Sequence, residues 1–177
     1  MSLEFNRRSF LKYSAAAAVA VAGSSLLTGC GEDEYQKTGK IGSTLKLMGT
    51  FKMKDAPTFD NGTFKTTINI KCTTDKVPLA VTADKFLLTV NPGKNEDNYY
   101  GNTYVSVERE DPKFTVDDGE RDFTITVKNV KLANDNKVEF IYFPRIQASS
   151  GNSGYTRAFC TWKMTAKVDA AGNVTFE

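Results

Sequence analysis

The sequence holds no histidine among its 177 residues. That absence removes the Ser-His-Asp and Cys-His nucleophile systems and the commonest transition-metal ligand. No Gly-rich phosphate loop of either common type, G-x-x-x-x-G-K-[ST] or G-x-G-x-x-G, occurs, so no nucleotide cradle is signalled. There is no excess charge either. Lys and Arg number 23 against 21 Asp and Glu. Residues 1–29 contain Arg7, Arg8, Lys12 and Glu4, which leaves the remainder formally neutral. A neutral chain lacks the basic field that nucleic-acid binding needs. Cysteine is scarce, with three residues, Cys30, Cys72 and Cys160. A chain of this length buries enough surface for one core without dense stapling.

A long apolar run is also missing. The most apolar stretch, Tyr13 to Gly29, is rich in Ala, Gly and Ser. It is too short and too weakly apolar for a membrane span, which needs about 20 strongly apolar residues. Its flanks explain it. "NRRSFLK" precedes it and supplies positive charge; "LTGC" ends it with small residues before a lone cysteine. A charged start, a modest apolar middle and a small-residue junction make a signal peptide rather than a core helix.

Two resemblances follow from these residues. Arg7, Arg8, Phe10, Leu11 and Lys12 resemble the twin-arginine translocation motif, with Asn6 where Ser or Thr is commoner. Leu27 to Cys30 resembles a lipobox, where lipoprotein signal peptidase cuts before a lipid-modified cysteine. The resemblance implies export, a thioether-linked diacylglycerol on Cys30, and anchorage on the outer face of the cytoplasmic membrane. Two acyl chains, at about 0.8 kcal/mol per buried CH₂, give a stable anchor. The expected division is a signal over 1–29, a lipidated Cys30 with a polar tether over 30–42, and a folded domain over 43–177.

After the tether the hydrophobic period is two. "LKLMGTFKM" alternates from Leu45 to Met53 with Met48 out of phase. "FKTTINIKC" places Phe64, Thr66, Ile68, Ile70 and Cys72 on one face and Lys65, Thr67, Asn69 and Lys71 on the other. Such alternation reads as a half-buried strand. Asn61-Gly62 before it is hairpin-turn chemistry. "VPLAVTA" and "KFLLTV" alternate with opposite parity, which predicts a bulge or corner near Asp84. "TYVSVE", "RDFTITVKNV", "KVEFIYFPRI" and "YTRAFCTWKMTAKV" continue the pattern. The third of these is apolar on both faces, so it reads as a central strand that Pro144 interrupts. "DAAGNVTF" is a tight turn into a short last strand. Together these predict an all-β, antiparallel sandwich of about 7–9 strands, with a closed barrel as second choice.

"VDDGERDFTITVKNV", from Val116 to Val130, resembles the immunoglobulin-like domains of unknown function carried by many bacterial lipoproteins. There a Gly-Glu turn launches a long alternating strand. The resemblance spans about residues 43–168 and implies an immunoglobulin-like sandwich with no assigned catalysis. The antibody-type framework is absent, because Trp162 follows Cys160 by two residues.

Three groups are candidate sites. Asp117, Asp118, Glu120 and Asp122 form an acidic turn that could hold Ca²⁺, although the spacing is not that of an EF-hand loop and solvated turns favour Asp and Gly anyway. Glu108, Glu110 and Asp111 could join them as glycosidase carboxylates, which would need pairs about 5–10 Å apart across a cleft. Tyr99, Tyr100 and Tyr104 offer rigid rings with polar tips, suited to a glycan or a protein partner; the alternative is a strand start with one ring in the core. The loop Ala148 to Thr156 is of small residues and could bind or merely connect. Cys72 and Cys160 lie on apolar faces and, once Cys30 is lipidated, form an even pair outside the cytoplasm. A disulfide is expected between them; two buried free thiols are the competing outcome. No cofactor is expected. The leading functional reading is a membrane-anchored, non-catalytic binding domain. A carboxylate-based glycan hydrolase and a structural envelope spacer are the alternatives.

Overall fold

The computed structural model describes residues 35–75, 78–93, 98–148 and 155–177. The chain forms an all-β sandwich. Its first sheet has the order β1-β13-β12-β7-β8, with β14 also on β13. Here β1 is Gln36–Gly39, β7 Phe86–Val90, β8 Tyr99–Gly101, β12 Lys137–Ala148, β13 Tyr155–Val168 and β14 Val174–Phe176. The second sheet has the order β2-β3-β5-β11-β9, with β4 also on β5. Its strands are β2 Thr44–Lys46, β3 Gly49–Met53, β4 Thr58–Asp60, β5 Thr63–Cys72, β9 Val105–Val107 and β11 Glu120–Val127. A two-stranded ribbon pairs β6, Leu79–Val81, with β10, Asp111–Phe114.

The core lies between the sheets. Phe64 of β5 stacks on Phe140 of β12 at 5.8 Å, and Phe51 of β3 meets the Tyr142 ring edge-on at 5.4 Å. Phe86 stacks on Phe140 and Tyr142 from within the first sheet. Trp162, Phe123, Ile68 and Ile70 are buried with them. Each aromatic pair adds about 0.5–1.5 kcal/mol beyond its area burial.

The local signals act as their chemistry requires. Asn61 and Gly62 take φ of 47° and 74°, and join β4 to β5 as a two-residue turn. The parity change near Asp84 is a 3₁₀ turn, Ala83–Lys85, through which the chain passes from the ribbon into the first sheet. Pro144 sits where the β12–β13 register shifts, between Tyr142 and Arg145, so its missing N–H falls at an irregularity. β12 is central, flanked by β13 and β7.

Three expectations change. Among the described residues the strands number fourteen rather than about seven to nine, because short strands of three or four residues carry too few alternations to show. The run Leu45 to Met53 is not one strand: β2 and β3 form a hairpin with Leu45 opposite Phe51. Gly49 drives this, since a Cβ there would lie 2.6 Å from the Lys71 carbonyl oxygen, and the Leu47 N–H closes the turn on the Gly49 carbonyl. Finally, the span read as a tether over 30–42 contributes β1, which pairs with β13 in parallel, Gln36 opposite Phe159 and Gly39 opposite Trp162. It is a parallel pair in a sandwich otherwise paired antiparallel among the described strands.

Candidate functional site

The tyrosine segment separates into a buried, a half-buried and an exposed ring. In β8 Tyr100 points inward at 5% exposure, while Tyr104, in the 3₁₀ turn Asn102–Tyr104 that follows, stands 38% exposed. Tyr100 therefore leaves the group of surface candidates. It supports Tyr104 instead: the two rings meet edge-to-face at 5.8 Å. The Tyr100 hydroxyl accepts a hydrogen bond from the Lys131 N–H at 3.1 Å, which fixes the lower ring. The Tyr104 backbone is fixed as well, since its carbonyl accepts from the Lys128 N–H at 2.9 Å. Tyr99 is half-buried on the other face of β8, and its hydroxyl accepts from the Gly93 N–H at 3.4 Å.

The acidic turn is organised around cations and amides of its own chain. Gly119, at φ 71°, closes the 3₁₀ turn Val116–Asp118 and leads into β11. Asp118 accepts from the Thr115 N–H at 2.7 Å and from the Thr115 hydroxyl at 2.9 Å. Those bonds, with the Arg121 guanidinium, hold its carboxyl below the usual carboxylate value. Asp122 accepts from the Asn69 side-chain amide at 2.7 Å and from Lys54 at 2.9 Å, and its pKa is lowered by them in that order. Arg121 reaches both Asp111 and Asp118 and lies 5.3 Å over the Phe114 ring. Glu110 accepts from the Ala83 N–H at 2.8 Å.

Asp117, Asp118, Glu120 and Asp122, weighed above as a candidate for Ca²⁺, do not converge on one point. Among the described residues no group of three or more Asp, Glu, Cys or His gathers to hold a metal ion. The reason is alternation. Asp122 lies on the outer face of the second sheet, opposite Asn69, whereas Asp118 turns back onto the start of its own 3₁₀ turn. The residues that claim these carboxylates, Lys54, Asn69 and Arg121, escaped the sequence reading. Arg121 alone left a signal, as the one cation within the acidic stretch.

The expected Cys72–Cys160 bridge is not formed; both thiols are free and buried. They sit on opposite sheets, Cys72 across from Gly49 and Cys160 across from Tyr142. Cys72 directs its thiol to the Thr74 carbonyl at 3.2 Å. Burial raises the Cys160 thiol far above its ordinary value. The Tyr142 phenol lies close enough to both thiols that they add to the effect of burial in raising its own pKa, and it donates to the Ala80 carbonyl at 3.0 Å. Both cysteines act as small core residues around that phenol.

Arg7, Arg8, Phe10, Leu11 and Cys30 lie outside the described residues. So do Lys76 and Val77, and part of the loop Ala148 to Thr156. No curated protein and no solved structure matches the chain. Residues 4–24 match the family model for the TAT (twin-arginine translocation) pathway signal sequence, and the protein is accordingly one exported across the cytoplasmic membrane by that route.

Proposed function

We propose that the exported protein is a lipoprotein held to the outer face of the cytoplasmic membrane through Cys30. Its immunoglobulin-like sandwich is a non-catalytic interaction module for a glycan of the cell envelope. The observation that carries this reading is the Tyr104–Tyr100 pair. An exposed ring seated on a buried ring, itself tied to the Lys131 amide, is a rigid aromatic surface with little entropy left to lose on binding. The fate of the carboxylates supports the absence of catalysis. Asp111, Asp118 and Asp122 are ion-paired within the chain, and Glu110 is bound to a backbone amide. A glycosidase needs a free pair facing across a cleft. The neutral mature chain supports a partner other than nucleic acid.

Two measurements test the two halves. Mass spectrometry of the membrane-extracted protein should find diacylglycerol on Cys30; an unmodified Cys30 in exported protein ends the lipoprotein reading. Sedimentation with purified envelope glycans should show binding that Tyr104→Ala abolishes and Tyr99→Ala weakens. Glycan binding indifferent to both changes would move the site elsewhere. Glycan release by the purified domain would replace the module with an enzyme.

A further inference from the structure

Charge is not spread evenly along the outer face of the second sheet. β11 opens on that face with Glu120 and Asp122, and Lys128 follows its last residue. The acidic end is satisfied within the chain: Asp122 is held by Lys54 and Asn69, and Asp118 by Arg121. The basic end is not. Lys65, Lys128 and Lys131 are exposed, and none of the three is ion-paired among the described residues.

These cations gather at Tyr104. The ladder between β11 and β9 runs one position past both strands, since the Lys128 N–H donates to the Tyr104 carbonyl. Residues paired in this way lie about 5.5 Å apart at Cα. Lys65 of β5 stands opposite Thr126, diagonal to Lys128 at roughly 7–8 Å. Lys131 is tied through its N–H to the hydroxyl of Tyr100, the ring against which Tyr104 packs.

The segment that carries Lys128 and Lys131 is fixed. Its N–H groups reach separate parts of the fold: Lys128 to Tyr104, Val130 to the Gly62 carbonyl at 2.9 Å, and Lys131 to Tyr100. Asn129 turns at φ 61°, a left-handed conformation that Asn tolerates. Val130 is buried. The backbone that presents the lysines and the ring therefore has little freedom left to lose on binding. Nearby acids do not neutralise the edge. Asp60, opposite Thr63, is separated from Lys128 by β5, and Asp135, further along the connection, pairs with Lys167 at 2.6 Å.

The chemistry of these groups selects a ligand. An ammonium donates three hydrogen bonds and accepts none. Sugar hydroxyls donate as well as accept, so a neutral sugar needs acceptors that lysines do not offer. A carboxylate or phosphate accepts only, and binds ammonium through charge-assisted bonds. A tyrosine ring adds an apolar platform with a polar tip. We infer, building on the glycan-binding role proposed above, that the edge formed by Tyr104, Lys65, Lys128 and Lys131 binds an acidic glycan, a sugar face on Tyr104 and carboxylate or phosphate groups on the lysines.

The test uses the full exported chain and purified envelope glycans in three forms: untreated, carboxyl-reduced, and dephosphorylated with hydrofluoric acid. Untreated glycan should sediment with the protein, and one or both treated forms should bind about tenfold more weakly, which names the acid. Lys128→Gln combined with Lys131→Gln should weaken binding of untreated glycan by about tenfold as well. Lys52→Gln, opposite Asn69 on the same face, should leave it unchanged. Equal binding of all three forms that still depends on Tyr104 overturns the acidic class and leaves the glycan-binding role standing. A loss in Lys52→Gln as large as in the double variant overturns the site in favour of diffuse charge. No binding of any form overturns both the acidic class and the role on which it rests.

Discussion

On the outer face of the β5–β11 pair, Lys65 stands opposite Thr126, Thr67 opposite Thr124, Asn69 opposite Asp122 and Lys71 opposite Glu120. On the outer face of the other sheet, Leu87 stands opposite Ile141 and Ile141 opposite Thr161. The first face is a polar ladder, open to water at Lys65, Lys71, Glu120 and Asp122. The second holds residues that are 8%, 7% and 4% exposed in that order. The row on one side is the Glu139–Lys163 ion pair at 3.3 Å, and on the other the Phe143–Phe159 ring pair at 5.8 Å. One sheet thus stabilises itself on one side only, and the other on both. The difference fits the central place of β12: its outward Ile141 lies between Leu87 and Thr161 of the two neighbouring strands.

The largest expected contrast is in thiol chemistry, where each sheet contributes one cysteine. Folded protein should react with a thiol reagent at neither Cys72 nor Cys160, and denatured, lipidated protein should react at both. A native chain that shows no free thiol even after unfolding would restore the bridge. The shared core comes next. Phe140→Ala should cost about 3–5 kcal/mol in urea unfolding, because three aromatic neighbours lose their contact. The outer faces themselves are compared by Ile141→Ala and Thr67→Ala. The first should cost about 2 kcal/mol and the second no more than about 0.5 kcal/mol. Equal losses would show that the two faces do not differ as described.

Two smaller effects refine the picture within the second sheet. The Thr66 hydroxyl is buried with no hydrogen-bond partner. Thr66→Val removes an unsatisfied polar group at nearly constant shape and should raise stability by about 1 kcal/mol. The hydrogen bonds from Thr115, with Arg121 beside them, hold the folded pKa of Asp118 below its ordinary value. A depressed carboxylate contributes stability that is present above the unfolded pKa and lost as pH falls through the folded one. Asp118→Asn should therefore be less stable than the native chain at neutral pH, and the two should converge in acid below pH 3.8. A constant difference down to full protonation would separate the effect from ionisation.

Much of this was legible. The alternation of Phe64, Ile68 and Ile70 gives β5 directly, Asn61-Gly62 gives its turn, and the two-sided apolarity of Phe140, Ile141 and Tyr142 gives the centre of a sheet. Gly172, at φ 87°, marks the last hairpin. β1 was not legible, because Gln36, Lys37, Thr38 and Gly39 offer no hydrophobic pattern and are placed through backbone pairing with β13. The site was less legible than the fold. Tyr100 and Tyr104 have the same parity, and only the 3₁₀ turn between them turns Tyr104 to water; a carboxylate's partner, such as Lys54 for Asp122, comes from a segment far away in sequence. Composition shows that such charges are balanced but not which pairs form.

The parallel pairing of β1 also has a consequence in time. Gln36 leaves the ribosome early, yet the strand it pairs with is made more than a hundred residues later. Until Phe159 to Trp162 exist, β1 has nowhere to dock, so a truncated chain cannot finish that edge of the sheet. Non-local closures of this kind slow folding. The strand nearest the export signal can therefore dock only after β13 has been made.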